Sequence, residues 1–480
     1  MFDVLDTRRS TMAMASLGLA TLMTAMDSSL INTSLTELSE AFGVPFGAGR
    51  WIVLAYLLPL TSLSVVAGRV GDAFGRSRVL VGAVALFAVT SATCAVAPTF
   101  DWLLAFRAIQ GASAAAMLAL GYAVIGDIPQ RRPERAVGHL AAASAVGTTL
   151  GPIVGGVVAH YSARAVFLVN LPLAVTACGL ALHYLPHCAR RSSRDLSFDG
   201  VGAGVLTLTL LAYALVTSRP GGSPTLSQWL LVFTGVGALA FVAIEGRVYA
   251  PLVPLAMFRD VTFGVGLLAS AVVATVLTST LIVGPVYLTR AVGLGRTHVG
   301  LALAAGPAAA GLTAWRGGRI VERIGASRAT GLGLLMMATG AGLIALLPYS
   351  AGIVGYVGPL MLVTSGYAMF QTANNASVLA RPGSNHRGVA GGLLTLSRNV
   401  GQVTGASMMS AVFLHAAHAN TVALASADAV GSGMRATMVV ASILLLVVLA
   451  VVSITRSNAR VASASVNPPR QPLAESNSPC

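Results

Sequence analysis

Apolar runs of about 20 residues recur along the whole chain, separated by short segments rich in arginine, glycine and proline. A helical run of this length crosses the ~30 Å hydrocarbon layer of a bilayer, because each residue adds ~1.5 Å. Fourteen runs are predicted to span a membrane: 11–36, 50–68, 78–97, 102–126, 136–158, 165–185, 198–217, 228–246, 261–289, 298–316, 328–347, 352–376, 388–415 and 434–455. The pattern therefore predicts an all-α membrane protein with 14 transmembrane helices.

Composition and charge agree with a membrane protein. Of the 480 residues, 55% are hydrophobic and only 10% are charged, whereas soluble domains are about 25% charged. The net charge of +14 does not indicate nucleic-acid binding, because the arginines occur in alternate loops. Loops predicted on one side hold 22 arginines and those on the other side hold 6. This bias predicts a multi-pass protein of the cell (inner) membrane with both termini in the cytoplasm.

Two charged segments between apolar runs share one pattern. Gly68–Arg78, here called the first hinge, reads GRVGDAFGRSR, and Gly318–Arg328, the second hinge, reads GRIVERIGASR at an offset of 250 residues. The same offset relates Gly151 to Gly401, far from the hinges. A register kept in two separate regions indicates an internal duplication, so the sequence predicts two equivalent six-helix halves.

Two of the predicted spans have no counterpart at this offset and form an insert between the halves. The predicted organisation is an N-terminal half over residues 1–190, a two-helix insert over 191–255 and a C-terminal half over 256–458. The remainder, 459–480, is rich in serine, proline and asparagine and is predicted to be a disordered cytoplasmic tail.

The two hinges contain the residue types expected of a gate that opens and closes between helix ends. Glycine allows two helix ends to approach closely, and an acid beside a helix terminus can pair with neighbouring arginines and with the positive end of a helix. The predicted gating residues are Gly68, Gly71, Asp72, Gly75, Arg76 and Glu322. A basic loop that only sets topology is the alternative, and it explains one copy more easily than two.

The first hinge resembles the signature loop between helices 2 and 3 of the major facilitator superfamily, and the second resembles its degenerate repeat. The resemblance implies the major facilitator fold, in which two six-helix halves give alternating access to a central site. The two-helix insert between the halves resembles the fourteen-helix drug:proton antiporter branch, which comprises multidrug efflux transporters.

One acid lies deep within a predicted span. Asp27 is about 24 Å along the first helix from its cytoplasmic end, and a carboxylate at such depth costs roughly 2.5–3.5 kcal/mol unless it has a function or faces water. Arg107 belongs to an Arg-x-x-Gln-Gly sequence that resembles the family motif tied to proton movement. We therefore predict Asp27 and Arg107 as the proton-coupling pair. The alternatives are a protonated Asp27 that only packs helices, and an Arg107 that reaches the nearby membrane surface.

The fifth span contains a run of small residues around a proline, with Gly147, Gly151, Pro152, Gly155 and Gly156. Small residues at every fourth position allow close helix packing, and proline bends a helix. The run resembles the family's antiporter motif, which is typical of exporters. A tightly packed helix without further function is the alternative.

The sixth span carries a second pattern of the fourteen-helix branch, formed by Arg164, Phe167, Asn170 and Pro172, although Ala163 replaces the usual tryptophan. This departure weakens the assignment to the branch. Further polar residues are predicted to line the substrate cavity: Asn32, Gln110, Gln371, Asn374 and Arg398. The polar residues that end the twelfth span could equally lie at the membrane interface.

These features predict a monomeric secondary transporter and not an enzyme. It would export small amphipathic compounds, cations and antibiotics among them, in exchange for protons. The chain has no lysine and no phosphate-binding loop, and its four cysteines have no metal-ligand spacing, so neither a metal nor another cofactor is predicted. The alternatives are a dedicated exporter of a neutral or anionic metabolite, and a membrane-embedded receptor or enzyme on a transporter-like scaffold.

Overall fold

The computed structural model describes residues 2–44, 46–49, 51–128, 133–186, 199–217, 224–248, 251–381, 386–417 and 426–466. Over these residues the chain is helical apart from short turns, with no strand. The basic segment that precedes the insert and the turn within the insert lie outside the described residues, as does the part of the predicted tail from 467 onward.

The helices fall into three consecutive groups along the chain. The first group comprises α1 (Phe2–Thr33), α2 (Leu35–Ala41), α3 (Phe46–Gly49), α4 (Trp51–Ser62), α5 (Ser64–Phe74), α6 (Arg76–Ala95), α7 (Phe100–Ile125), α8 (Pro133–Tyr161), a 3₁₀ segment (Ala163–Val169) and α9 (Asn170–Tyr184). The insert comprises α10 (Gly200–Thr217) and α11 (Pro224–Glu245). The last group comprises a 3₁₀ segment (Leu255–Arg259), α12 (Val261–Arg290), α13 (Arg296–Ile324), α14 (Ala326–Leu346), a 3₁₀ turn (Tyr349–Ala351), α15 (Gly352–Ala380), α16 (Arg387–Ala416) and α17 (Ala427–Val466).

Each predicted span coincides with a helix, but fewer are apolar enough to be counted as membrane spans on composition. Nine helices of the described chain pass that criterion, and the pair α4–α5, bent by 50°, makes a tenth. The helices α13 and α16 do not pass, because they carry glycines and polar residues where the halves meet, and the described apolar part of α10, Gly200–Tyr213, is too short to be counted. The number fourteen therefore stays a prediction. Helix α17 continues to Val466, which is eight residues into the predicted tail.

The two hinges adopt the same unusual backbone conformation. Gly75 ends α5 with φ +100°, and Gly325 ends α13 with φ +84°. Only glycine occupies this region without strain, so each hinge turns at a glycine and starts the next helix at once. We call the end of the molecule that carries both turns the hinge end.

Glycines set the closest helix contacts within each half. A Cβ at Gly147 would overlap the Leu22 backbone of α1, and one at Gly401 would overlap the Ala271 backbone of α12. The pairs α1–α8 and α12–α16 are thus packed backbone to backbone at equivalent places in the two halves. One apolar core surrounds Phe87 of the first half and extends to residues of the second half such as Leu393, and another surrounds Phe370 within the second half.

The insert packs on the outside of this arrangement. Helix α10 contacts α4 of the first half and α16 of the second, where the hydroxyls of Tyr213 and Thr404 meet, and α11 packs on α10. None of the residues in the most apolar part of α11 is buried, so this helix faces the surroundings of the protein.

Candidate functional site

A fully buried ion pair lies inside the first half. Asp27 of α1 is 0% exposed, Arg107 of α7 is 1% exposed, and their Oδ2 and Nη1 atoms are 2.8 Å apart. The second carboxylate oxygen of Asp27 accepts a hydrogen bond from Nδ2 of Asn170, at the start of α9, at 3.0 Å. Both carboxylate oxygens of Asp27 therefore have a hydrogen-bond donor.

Arg107 keeps other partners besides the acid. Its Nη1 donates to Oε1 of Gln110 at 2.7 Å, and its Nε donates to the carbonyl oxygen of Ile52 at 3.2 Å. The guanidinium also lies 4.4 Å from the ring centre of Tyr56 and 5.8 Å from that of Phe167, within range of cation–π attraction. The arginine is therefore held in the interior and does not reach the surface, which excludes the alternative of an Arg107 at the membrane surface.

The small-residue run of α8 fixes the helix that carries this acid. Besides Gly147, Gly151 lies against Ser29, where a Cβ would come within 2.5 Å of the serine Cβ, and Gly155 lies against the Leu30 backbone. These contacts flank Asp27 on both sides along α1. Pro152 and Gly156 lie within α8.

The first hinge bonds to the other half of the molecule. Asp72 of α5 accepts hydrogen bonds from the backbone N–H groups of Gly388 and Val389, both at 3.0 Å, at the start of α16. It therefore caps a helix N-terminus, where the helix dipole favours a negative charge. Gly68 packs directly on Gly388, since a Cβ at Gly68 would lie 2.7 Å from the Gly388 carbonyl carbon.

The arginines of the hinge are not equivalent. Arg76 donates to Asp72 through Nε at 2.8 Å and to both oxygens of Asp127 through Nη1, at 2.8 and 2.9 Å. It is 8% exposed, whereas Arg78 is exposed. Arg76 therefore lies between two acids and links Asp72 to Asp127.

The second hinge makes the reciprocal contact, from the second half to the first. Glu322 of α13 bonds to Arg135 at the start of α8, with Oε2 and Nη2 2.8 Å apart, and each side chain is about one-third exposed. Each hinge acid thus reaches the first turns of the fifth spanning helix of the other half. Arg387 adds a further bond across the halves by donating to the Gly126 carbonyl at 2.8 Å. The halves are closed against each other at the hinge end.

The residues predicted to line the substrate cavity do not all lie around one cavity. A small cavity between the halves contains Gln371 and Arg398, and its volume of about 20 Å³ holds roughly one water molecule. It is lined by Tyr122, Ser270, Tyr367, Phe370, Gln371, Asn375, Leu394, Thr395 and Arg398. Asn374 turns away to donate to Gly266 and to Ser270 of α12, at 3.0 and 2.9 Å.

The other two predicted cavity residues lie elsewhere. Gln110 belongs to the buried ion-pair network, where its Nε2 donates to the Ser91 hydroxyl at 2.6 Å. Asn32 is exposed near the end of α1. The structure therefore contains two separate polar centres, one around Asp27 and one around Arg398.

Sequence reasoning assigned no role to several residues of these centres. Phe167 and Asn170 were part of a recognised pattern, and their spacing of three residues brings both to the Asp27–Arg107 pair. Tyr56 and Asp127 had no signal in the sequence, since a single aromatic or acid near a span end is ordinary. Among the described residues, no group of three or more His, Cys, Asp and Glu side chains could hold a metal ion.

Comparison with known proteins settles the family. The sequence profile described as Major Facilitator Superfamily matches residues 17–406. The chain belongs to the major facilitator superfamily. The predicted all-α major facilitator fold is thereby confirmed, and the protein is a multi-pass membrane transporter and not an enzyme.

Relatives within the superfamily include named efflux proteins. The chain is 29% identical to the uncharacterized transporter YebQ of Escherichia coli K12, over 81% of this chain and 86% of that one. It is 26% identical to the multidrug resistance protein Stp of Mycobacterium tuberculosis, over 84% of this chain and 76% of that one.

Solved structures show the same fold at low identity. The human organic anion transporter MFSD10 matches with a TM-score of 0.66 and 16% identity, over 93% of this chain and 99% of that one. The proton:xylose symporter XylE matches with a TM-score of 0.64 and 15% identity, over 91% and 95% of the two chains.

Proposed function

We propose that this major facilitator exports small amphipathic compounds, cations and antibiotics among them, in exchange for protons. The single observation that carries the proposal is the buried Asp27–Arg107 pair. A proton antiporter needs a group that changes charge within the membrane. Asp27 is a fully buried acid on a membrane-spanning helix, and it lies beside a fixed positive charge. The naming of a relative as a multidrug resistance protein is consistent with this function.

The partners of Arg107 explain how Asp27 can change charge. Protonation of Asp27 removes the ion pair, and an unpaired buried charge is costly. Arg107 keeps Gln110, a backbone carbonyl and the Tyr56 ring, so its charge stays solvated by the protein when the acid is neutral. The acid can therefore take up and release a proton while the arginine stays in place.

The hinge end faces the cytoplasm in this proposal, because the loops at that end carry most of the arginines. Both termini and the gate formed by Asp72 and Glu322 then lie on the cytoplasmic side, in the cell membrane. The described conformation is closed on that side, so it corresponds to the state that releases substrate outward. The protein works as a monomer with fourteen spans, organised as two halves and a peripheral insert.

A dedicated exporter of neutral or anionic metabolites is the second candidate. The cavity between the halves favours it, because Arg398 is its one charged residue and the remaining lining side chains are neutral. A guanidinium beside Tyr122 and Tyr367 suits a carboxylate or phosphate better than a cation.

The test is a substrate screen followed by a proton measurement. Compounds are first screened for efflux in a bacterial strain that lacks its own exporters. The purified protein in weakly buffered detergent is then mixed with each hit, and the pH is recorded. Proton release with cationic hits supports the proposal. Efflux limited to anions favours the second candidate, and export without proton release contradicts proton antiport.

A further inference from the structure

The insert contains a second pair of buried acids, far along the chain from Asp27. Asp199 directly precedes α10 and is 8% exposed, and Glu245 ends α11 and is 3% exposed. Each uses one oxygen for a backbone bond: Asp199 Oδ1 accepts from Gly202 N–H at 2.8 Å, and Glu245 Oε2 accepts from Val253 N–H at 3.1 Å. These bonds fix the direction of both carboxyl groups.

The remaining oxygens point to the same place. A Cβ at Gly202 would be closer than 3 Å both to Oδ2 of Asp199 and to Oε1 of Glu245. Neither oxygen has a hydrogen-bond partner, although both are buried. Two buried carboxylates that face each other repel when both are ionised, whereas one shared proton turns the repulsion into a hydrogen bond.

We propose that Asp199 and Glu245 form a proton-binding site in which Oδ2 and Oε1 hold one proton between them. The site has a net charge of −1 when the proton is bound. Among the described residues, the charged group that acts on it from another helix is Arg69 of the first hinge, on α5. One bound proton leaves one carboxylate for one arginine, so the charges balance.

A metal ion suits this site less well. Hard cations such as calcium take six to eight oxygen ligands, and the part of the chain that is described offers two unpartnered oxygens here and no cluster of three ligating side chains. A proton needs only the two oxygens. The pair therefore joins the start of α10 to the end of α11 through a bond that exists only when the proton is bound, while Glu245 also bonds to the segment at Val253.

The first experiment detects the proton directly by infrared difference spectroscopy. The purified full-length protein in nanodiscs is titrated from neutral to alkaline pH, and the carbonyl band of protonated carboxyl groups is followed. Wild type should lose one such band, and that loss should be absent in both Asp199→Asn and Glu245→Gln. Gly202→Ala keeps both acids but drives them apart, so it should also abolish the band at neutral pH. Gly204→Ala on the same helix has open space at its Cβ and should behave as wild type.

The second experiment measures the pH dependence of thermal unfolding. The folded pair binds a proton that the unfolded acids, with pKa values near 3.9 and 4.3, release at neutral pH. The proton's contribution to stability is therefore complete below those values and falls as the pH rises, until the folded pair releases it. Wild type should lose stability over this range with the slope of one proton, a tenfold change in the unfolding constant per pH unit. Glu245→Gln mimics the protonated acid and should lose that slope, while Glu40→Gln, at an exposed acid, should keep it.

Two results would overturn the proposal. The first is a wild-type spectrum whose carboxyl bands are the same as those of Glu245→Gln at every pH, which would mean that both acids are ionised. The second is stabilisation by sodium ions at alkaline pH that wild type shows and Asp199→Asn lacks, which would make the pair a cation site.

Discussion

Replacing Asp72 by asparagine should open the gate at the hinge end. In the wild type the carboxylate accepts two backbone N–H groups of α16 and an arginine of its own half, with a side chain that is 1% exposed. Asparagine keeps one acceptor oxygen and turns an NH₂ group toward a donor. Transport should be abolished, while the protein still inserts into the membrane.

The magnitude follows from the bonds that cross between the halves. Hydrogen bonds to a charged group contribute ~1.5–3 kcal/mol each, and two of them join Asp72 to α16. If one neutral bond survives in the variant, the closed state loses about 3 kcal/mol. That corresponds to a roughly 100-fold shift toward the open state. Arg76 stays anchored by Asp127, so the fold itself should persist.

A buried reporter cysteine measures this shift. Ser64 is 0% exposed at the contact of α5 with α16, and Ser64→Cys in a cysteine-free background should react with a water-soluble maleimide only when the hinge end opens. Labelling should be up to ~100-fold faster with Asp72→Asn and unchanged with Asp101→Asn, at an exposed acid of α7. Wild-type labelling and wild-type efflux in Asp72→Asn would refute the gate and leave the hinge as a topology signal only.

Three further changes test other parts of the structure. Gly68→Ala should prevent closure of the hinge end, because its Cβ overlaps a backbone carbonyl of α16, while Gly82→Ala, whose Cβ has open space, should transport normally. Gly401→Ala should lower the thermal unfolding midpoint, because its Cβ would overlap the α12 backbone. Burial raises the pKa of Asp260, but the hydrogen bond and charge of Arg381, together with nearby backbone N–H groups, lower it by more. The pKa of Asp260 therefore lies below its usual value. A lowered pKa in the folded state adds stability above ~pH 3.9, and this stability is lost as the pH falls through the folded-state pKa. Asp260→Asn should therefore lose less stability on acidification than wild type does. Salt should make this difference smaller, because it screens the charge of Arg381.

The repeat and the positions of the helices were accessible from the sequence because they depend on patterns. The apolar runs are long, and the glycines at Gly75 and Gly325 occupy backbone positions that exclude other residues. The ends of the helices were less accessible. Helix α17 continues beyond the predicted end of its span at residue 455 to Val466, through a stretch that mixes small, polar and apolar residues.

The candidate site was predictable only in part, since contacts across helices leave no local pattern. Asp27 and Arg107 could be paired because each is unusual within a span. The role of Asp72 as a cap could be expected, but its target, the start of α16, lies more than 300 residues away. Asn374 was predicted to line the cavity as a polar residue in a span, and it bonds to α12 instead.

The most direct test of the account is uphill export in proteoliposomes driven by a pH gradient, with a substrate from the screen. Wild type should accumulate substrate against its gradient while protons move the other way. Asp27→Asn should bind neutral compounds yet lose proton-driven export, because its buried side chain can no longer change charge, and Asp27→Glu should keep part of the activity. Uphill export by Asp27→Asn at the wild-type rate would contradict the account, because the coupling group would then lie elsewhere.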